Sequence, residues 1–395
     1  MLGLAPPYML CLILDTSTEG FKEIRQKQCL GLHMGRSILD DMAAIAKLDR
    51  QNMLRILEET PQAYEEAYTS ALKSERLPQS EARAPSHLAL VGMGGSAIAA
   101  DILRDWLFES QTLIDVIRGS VLPGSITAGT HVLVASYSGQ TAEALSALKE
   151  ARRRKTRIAC ITSGGEMLKV CQENGIPHVQ VRTGFQPRAA LPHLLSASLA
   201  ILGMWGMYSL ENVQAEIGTV VEQLSASRKK IGSSCRSEVN PAKRLAAQLR
   251  GTIPFVYTPL LLAAAGRRFK NQLNENSKVV AKYDVLPEML HNEVQGWRML
   301  KENRLAAITS FVFLRGCEIE NEATQFEHLR RLIRRASGKS PYEISLRSPT
   351  RLATILATIY YCDYVSFYLA ILRGVDPTPI ETIQSLKRTI SSSQS

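Results

Sequence analysis

The strongest constraint on this chain is a pattern that occurs twice. Short apolar runs alternate with helix-length amphipathic stretches, and the first run opens into a glycine-rich turn. Repeated in that order, such segments form βαβ units, because parallel strands need a crossover and a helix packs back on the sheet in one hand. The first series predicts strands over 88–92, 113–117, 131–136, 157–162 and 178–181, with helices over 97–108, 141–153 and 189–207. A charged and apolar helix over 213–249 follows, and the alternation then restarts. Strand 253–258, helix 263–277, strand 305–314, helix 323–336, a turn at 337–341 and helix 350–373 complete it. The fold class is α/β, with two tandem doubly wound parallel sheets of flavodoxin-like form and flanking helices.

A length of 395 residues is about twice that of a common single domain, in keeping with two units. The expected boundaries are an extension over 1–36, a first unit over 37–212, a linking helix over 213–250 and a second unit over 251–390. Leu39, Met42, Ile45, Leu48, Met53, Ile56 and Leu57 recur at helical spacing at the head of the first unit. Pro61 is expected to break that run into two helices. Within the extension, the apolar stretch 8–14 is too short to span a bilayer and has no basic leader. Met34 stands just before the first strong helix and offers an alternative start.

Lys and Arg number 47 against 37 Asp and Glu, a net charge of +10 that favours an anionic partner. The densest basic run, Arg152-Arg153-Arg154-Lys155, follows an amphipathic helix and has no aromatic residues among it. It reads as a solvated helix end, with cations at the negative pole of the dipole. Nucleic acid is therefore not expected as the partner, and the short apolar stretch in the extension gives no membrane partner either. Seven cysteines are scattered without a Cys-x-x-Cys pair, so no disulfide framework or zinc site is expected and a reducing cytoplasm fits. The seven histidines show no ligand spacing either.

Two turns carry the chemistry. Gly92-Met93-Gly94-Gly95-Ser96 lies between a strand and a helix, where glycines let backbone N–H groups approach an anion at the helix N-terminus. Alone it also satisfies a relaxed dinucleotide fingerprint, with Asp115 about 20 residues on. Asp115, however, falls inside its strand rather than at the carboxyl end. The second turn decides. Ser136-Tyr137-Ser138-Gly139-Gln140-Thr141 sets three hydroxyls around one glycine at a helix start. A compact phosphate dianion suits such a ring of donors, and a pyrophosphate does not. The plain alternative is that Ser138 or Thr141 only caps the helix.

These turns resemble the sugar-isomerase (SIS) domain, and residues 37–387 more specifically resemble the bifunctional phosphoglucose/phosphomannose isomerase family. Gln186-Pro187-Arg188, Asn274-Glu275-Asn276 and His291-Asn292-Glu293 through Trp297 carry the closer likeness, with Gln140 standing where the family has Asn. The resemblance implies a cytoplasmic, metal-independent aldose–ketose isomerase without cofactor, acting on glucose 6-phosphate and mannose 6-phosphate to give fructose 6-phosphate. It assigns phosphate binding to Gly94, Gly95, Ser96, Ser136, Ser138 and Thr141. Glu275 becomes the general base, with its carboxylate fixed by the flanking amides; Glu288 and Glu293 compete for that role. Arg188 stabilises the enediolate or holds the substrate, and Lys387 lies near the ring oxygen. His291 opens the sugar ring, a task suited to a near-neutral imidazole. In the family this histidine comes from the neighbouring subunit, which implies a homodimer. The alternatives are a sugar-phosphate sensor that uses the same turns without catalysis, and a nicotinamide-dependent oxidoreductase using residues 92–97.

Overall fold

In the computed structural model, residues 37–302, 304–319 and 321–392 are described, and the extension 1–36 lies outside them. Two leading helices, α1 (Met42–Leu48) and α2 (Met53–Leu72), precede the first sheet. That sheet is built from β1 (His87–Gly92), α3 (Gly95–Trp106), β2 (Leu113–Ile117), β3 (His131–Ser136), α4 (Ala142–Arg153), β4 (Arg157–Thr162), α5 (Gly165–Glu173) and β5 (His178–Gln180). Three helices follow: α6 (Leu191–Met204), α7 (Leu210–Ile231) and α8 (Pro241–Leu249). The second sheet comprises β6 (Ile253–Thr258), α9 (Ala263–Glu275), β7 (Lys282–Val285), β8 (Thr309–Arg315), α10 (Glu322–Ser337) and β9 (Tyr342–Ser345). Helices α11 (Arg351–Leu372) and α12 (Glu381–Ser392) end the chain.

Every strand pairing among the described residues is parallel. The orders are β2-β1-β3-β4-β5 and β7-β6-β8-β9, so the second sheet repeats the first strand for strand as far as β4. All six residues of β3 are buried, as befits a parallel strand covered on both faces. Helices α6 and α11 are apolar around their whole circumference, and both are buried accordingly. Among the described residues, α11 alone is long and apolar enough to cross a membrane, and 89% of that window is buried. It packs against α2, α3, α7, α8 and α9, at the seam of the two sheets.

Five expectations are corrected. The first break comes at Asp49–Asn52, where the Asp49 carboxylate accepts from the N–H groups of Met53 and Leu54 at 2.8 Å each. Helix α2 then runs unbroken through Pro61. Proline strips the Leu57 carbonyl of its helical donor, but the buried Tyr360 hydroxyl donates to that carbonyl at 2.8 Å. The expected linking helix is two helices, α7 and α8, separated after Gly232 and restarted by Asn240, whose side chain accepts from Ala242 and Lys243 N–H. Residues 305–308 form a helical turn ahead of β8, and the turn region 337–341 leads into β9. β7 is a further strand that the apolar pattern had not marked.

Candidate active site

The turn after β1 delivers Gly94, Gly95 and Ser96 to the start of α3, which begins two residues earlier than expected. Gly94 has φ +53°, in the region glycine tolerates best. A Cβ on Gly95 would stand 2.7 Å from the Pro187 carbonyl oxygen and 3.0 Å from Arg188 N, so the turn and the Pro187–Arg188 segment touch backbone to backbone. Ser96 is buried, and its hydroxyl accepts from Tyr137 N–H at 3.2 Å, tying this turn to the next.

The turn after β3 brings Ser136, Ser138 and Thr141 to the start of α4. The Ser136 hydroxyl donates to Thr141 Oγ1 at 3.1 Å, and the Ser138 hydroxyl accepts from Gln140 N–H at 3.3 Å. Ser136 is buried, Thr141 half-buried and Ser138 exposed. Thr141 is the N-cap residue, yet no side chain caps α4, and none caps α3. Both helices therefore present open, positively polarised ends. At Gly139, with φ +66°, a Cβ would fall 1.8 Å from the Gly164 carbonyl oxygen. The segment 162–165 thus braces this turn from behind, helped by Ser163, whose hydroxyl donates to Tyr137 O at 2.6 Å. Asp115 sits in mid-strand, paired with His87 Nε2 at 2.9 Å.

Arg188 joins the turns to the candidate base. It is 3% exposed; its Nε donates to Asn276 Oδ1 at 2.8 Å, and Nη2 donates to the carbonyls of Pro377 and Thr378 at 2.9 and 2.8 Å. Nη1 is buried without a hydrogen-bond acceptor and lies 3.6 Å from Glu275 Oε2. Burial lowers the guanidinium's proton affinity, and Glu275 opposes that shift. Glu275 ends α9, half-buried, on the rim of a cavity of about 680 Å³ that is lined also by Lys278, Asp376, Ile380 and Ile383. The amides beside Glu275 do not hold its carboxylate, contrary to expectation. Asn274 donates to Val279 O at 2.7 Å, and Asn276 serves Arg188 and Ser366.

Helix polarity explains why Glu275 comes to this end. Asp105 Oδ2 accepts from Ala264 N–H at 2.6 Å, and Asp101 Oδ2 lies 3.4 Å from Arg267 Nε. As numbers fall along α3 they rise along α9, so the two helices run antiparallel. The first turn of α3, with Gly95 and Ser96, thus lies level with the last turn of α9.

His291 is placed elsewhere. Leu286 N–H pairs with Thr258 O at the carboxyl end of β6, level with the start of α9. His291 lies exposed in the next turn, Glu288–His291. The chain thus reaches His291 from the side of the second sheet at which α9 starts, whereas Glu275 ends that helix. Glu293 shares that end of the sheet. Its side chain is largely buried, accepts from the Tyr257 hydroxyl at 2.6 Å and pairs with Lys282. The backbone of Lys387 belongs to α12, while its side chain lies outside the described residues. Among the described residues, no three His, Cys, Asp or Glu side chains are grouped to hold a metal.

The counterpart turns of the second sheet are closed by the chain's own carboxylates. Glu322 Oε1 accepts from Leu260 N–H at 2.8 Å and Oε2 from Ile319 N–H at 2.7 Å, while Asp105 serves the start of α9. The open helix ends between hydroxyls thus belong to the first sheet. Sequence reading did not reach the carbonyl groups of Pro377 and Thr378, nor Lys278. Their only outward signal was the Pro377-Thr378-Pro379 run, whose prolines lack donors and leave carbonyls to be met by side chains.

Comparison with known proteins bears on the fold and the family. A family model described as the SIS domain matches residues 82–168, and one described as the bacterial phospho-glucose isomerase C-terminal SIS domain matches 238–390. A bifunctional phosphoglucose/phosphomannose isomerase from Caldicellulosiruptor bescii is 33% identical over 311 residues, covering 77% of this chain and 89% of its own. A protein of the same name from Aquifex aeolicus is 31% identical over 309 residues, covering 77% and 90%. Among solved structures, a glucose-6-phosphate isomerase like protein from Thermus thermophilus aligns with a TM-score of 0.59 at 20% identity, covering 89% of this chain and 98% of that one.

Proposed function

The chain belongs to the bifunctional phosphoglucose/phosphomannose isomerase family, and on that premise we propose that it interconverts glucose 6-phosphate and mannose 6-phosphate with fructose 6-phosphate. The observation that carries this reading is Arg188. Its backbone touches the Gly95 turn, and its one unpaired guanidinium nitrogen faces Glu275 at 3.6 Å. A sugar held by its phosphate at the two turns would therefore meet a permanent cation and a carboxylate at its other end.

In the proposed mechanism, the 6-phosphate is bound by Gly94, Gly95, Ser96, Ser136, Ser138 and Thr141 at the open ends of α3 and α4. The partner subunit's His291 moves a proton between O1 and O5 to open the ring, with Lys387 near the ring oxygen. A homodimer is part of this reading, and it is supported by the chain reaching His291 from the side at which α9 starts while Glu275 ends that helix. Glu275 then takes the proton from C2 of the aldose and returns it to C1. Arg188 Nη1 donates to the oxyanion that develops on the enediolate, where a fixed charge stabilises the transition state more than the ground state. At C2 the enediolate is planar, so glucose and mannose 6-phosphates lead to the same intermediate, and one base can serve both. This route asks for no metal. The setting is cytoplasmic: the substrates are phosphorylated, and Cys160, Cys171, Cys235, Cys317 and Cys362 carry free thiols, as in a reducing compartment.

Glu275→Gln tests the reading. Turnover should fall by about 10²–10⁴ while hexose phosphate binding is kept. Turnover equal to that of the wild-type protein would remove Glu275 as the base. Solvent deuterium should also appear at C2 of recovered aldose phosphate, which binding alone would not produce.

A further inference from the structure

Three residues beyond Glu275, Lys278 adopts φ +55°, a left-handed conformation that a residue with a side chain takes at a cost and that tends to be held where function requires it. Its ammonium group donates to the carbonyl of Glu275 itself and to that of Pro379 at 2.9 Å, with Pro377 O at 3.4 Å. Arg188 takes the carbonyls of Pro377 and Thr378 as well. The segment leaving α11 is thus gripped by two cations, both of which also reach Glu275. From this segment springs α12, whose first turn lines the cavity at Glu275 through Glu381, Thr382 and Ile383.

We propose that Lys278 is a positioning residue for the isomerisation: by tying the end of α9 to the Pro377–Pro379 segment it fixes the Glu275 carboxylate against Arg188 and seats α12 as the cavity's wall. The catalytic part rests on the isomerase reading above. Lys278 touches no reacting atom in this scheme and acts through Glu275. The charged groups facing it are Arg188 before α6, Glu275 on α9, and Asp376 and Glu381 on the C-terminal segment. Lys278 is exposed, so replacing it leaves the core untouched.

The test compares Lys278→Met with Lys278→Arg in the full-length protein. Loss of the tie should lower kcat about 10–100-fold, because small misplacement of a reacting group is costly. The affinity of inorganic phosphate, measured as a competitive inhibitor, should stay within about twofold, since the turns at α3 and α4 are not involved. Arginine can reach the same carbonyls and should restore most of the loss. A kcat for Lys278→Met within about twofold of wild type, or an arginine variant as impaired as the methionine one, would overturn the catalytic role. Hydrogen exchange reads the tie independently of turnover. Amides of residues 375–386 should exchange faster in Lys278→Met while those of β1, β3 and β4 do not change. Unaltered exchange there would overturn the tie even if the protein proved to have another activity. A wild-type protein without isomerase activity, but with the exchange difference, would fault the functional reading and leave the tie standing.

Discussion

At the level of single residues, the proposed site depends on one arginine kept out of water with a donor to spare. Nε and Nη2 of Arg188 are consumed by Asn276, Pro377 and Thr378, which fix the plane of the guanidinium and leave Nη1 directed at Glu275. A lysine could not reproduce that fork. Close by in sequence, His193 on α6 shows burial acting in the opposite sense. It is 8% exposed and packs on Phe185 with ring centroids 4.9 Å apart. Burial, and secondarily Arg182, push its pKa down to about 4. The folded protein thus prefers the neutral imidazole, and that stability is complete above the unfolded pKa of 6.5 and lost as pH falls toward 4. His193→Asn should remove this dependence. Urea titrations across that window should show wild type losing up to about 3 kcal/mol more than the variant. Arg188 and Glu275 were legible because motifs surround them. Lys278 was not, because its role lies in carbonyl contacts made across about a hundred residues of chain, which no local pattern announces.

Among the elements, α2 shows how a distant side chain can overrule a local rule. Pro61 should end a helix, and sequence reading placed the break there, yet the Tyr360 hydroxyl on α11 supplies the donor that proline lacks. Tyr360→Phe should leave the Leu57 carbonyl buried and unpaired, at a cost of about 1–3 kcal/mol. Pro61→Ala returns a backbone donor to that carbonyl, so in the Tyr360→Phe background it should recover most of the loss. Thermal denaturation of the four proteins gives the coupling directly, and additive effects would show that the hydroxyl does not stand in for the missing N–H. β1, β3 and β4 were readable because they are largely apolar and buried runs. β7 and β9 were not, being only four residues each, at sheet edges and with charged residues within them. Helices α7 and α8 read as one because both are amphipathic, and the small, polar stretch 232–240 between them, closed by the Asn240 cap, was passed over.

For the molecule as a whole, antiparallel packing of α3 on α9 sets the carboxyl edge of one sheet beside the amino edge of the other. Glu275 and His291, sixteen residues apart in sequence, are thereby sent to opposite ends of α9. If the site is completed across a dimer, two inactive chains should complement one another. Mixing Glu275→Gln with His291→Ala chains under conditions that exchange subunits should give about a quarter of the wild-type rate, since roughly half of the dimers are mixed and each holds one intact site. A mixture no faster than its components would mean that each chain works alone. The place of α11 has a different outcome, in biogenesis. The helix that fills the middle of the protein is translated after both sheets, so the nascent chain leaves the ribosome with the inner faces of α2, α7, α8 and α9 still bare. Those faces must be shielded by chaperones or by transient collapse until residues 351–372 emerge, and a message cut short of that point should yield aggregate rather than half a protein.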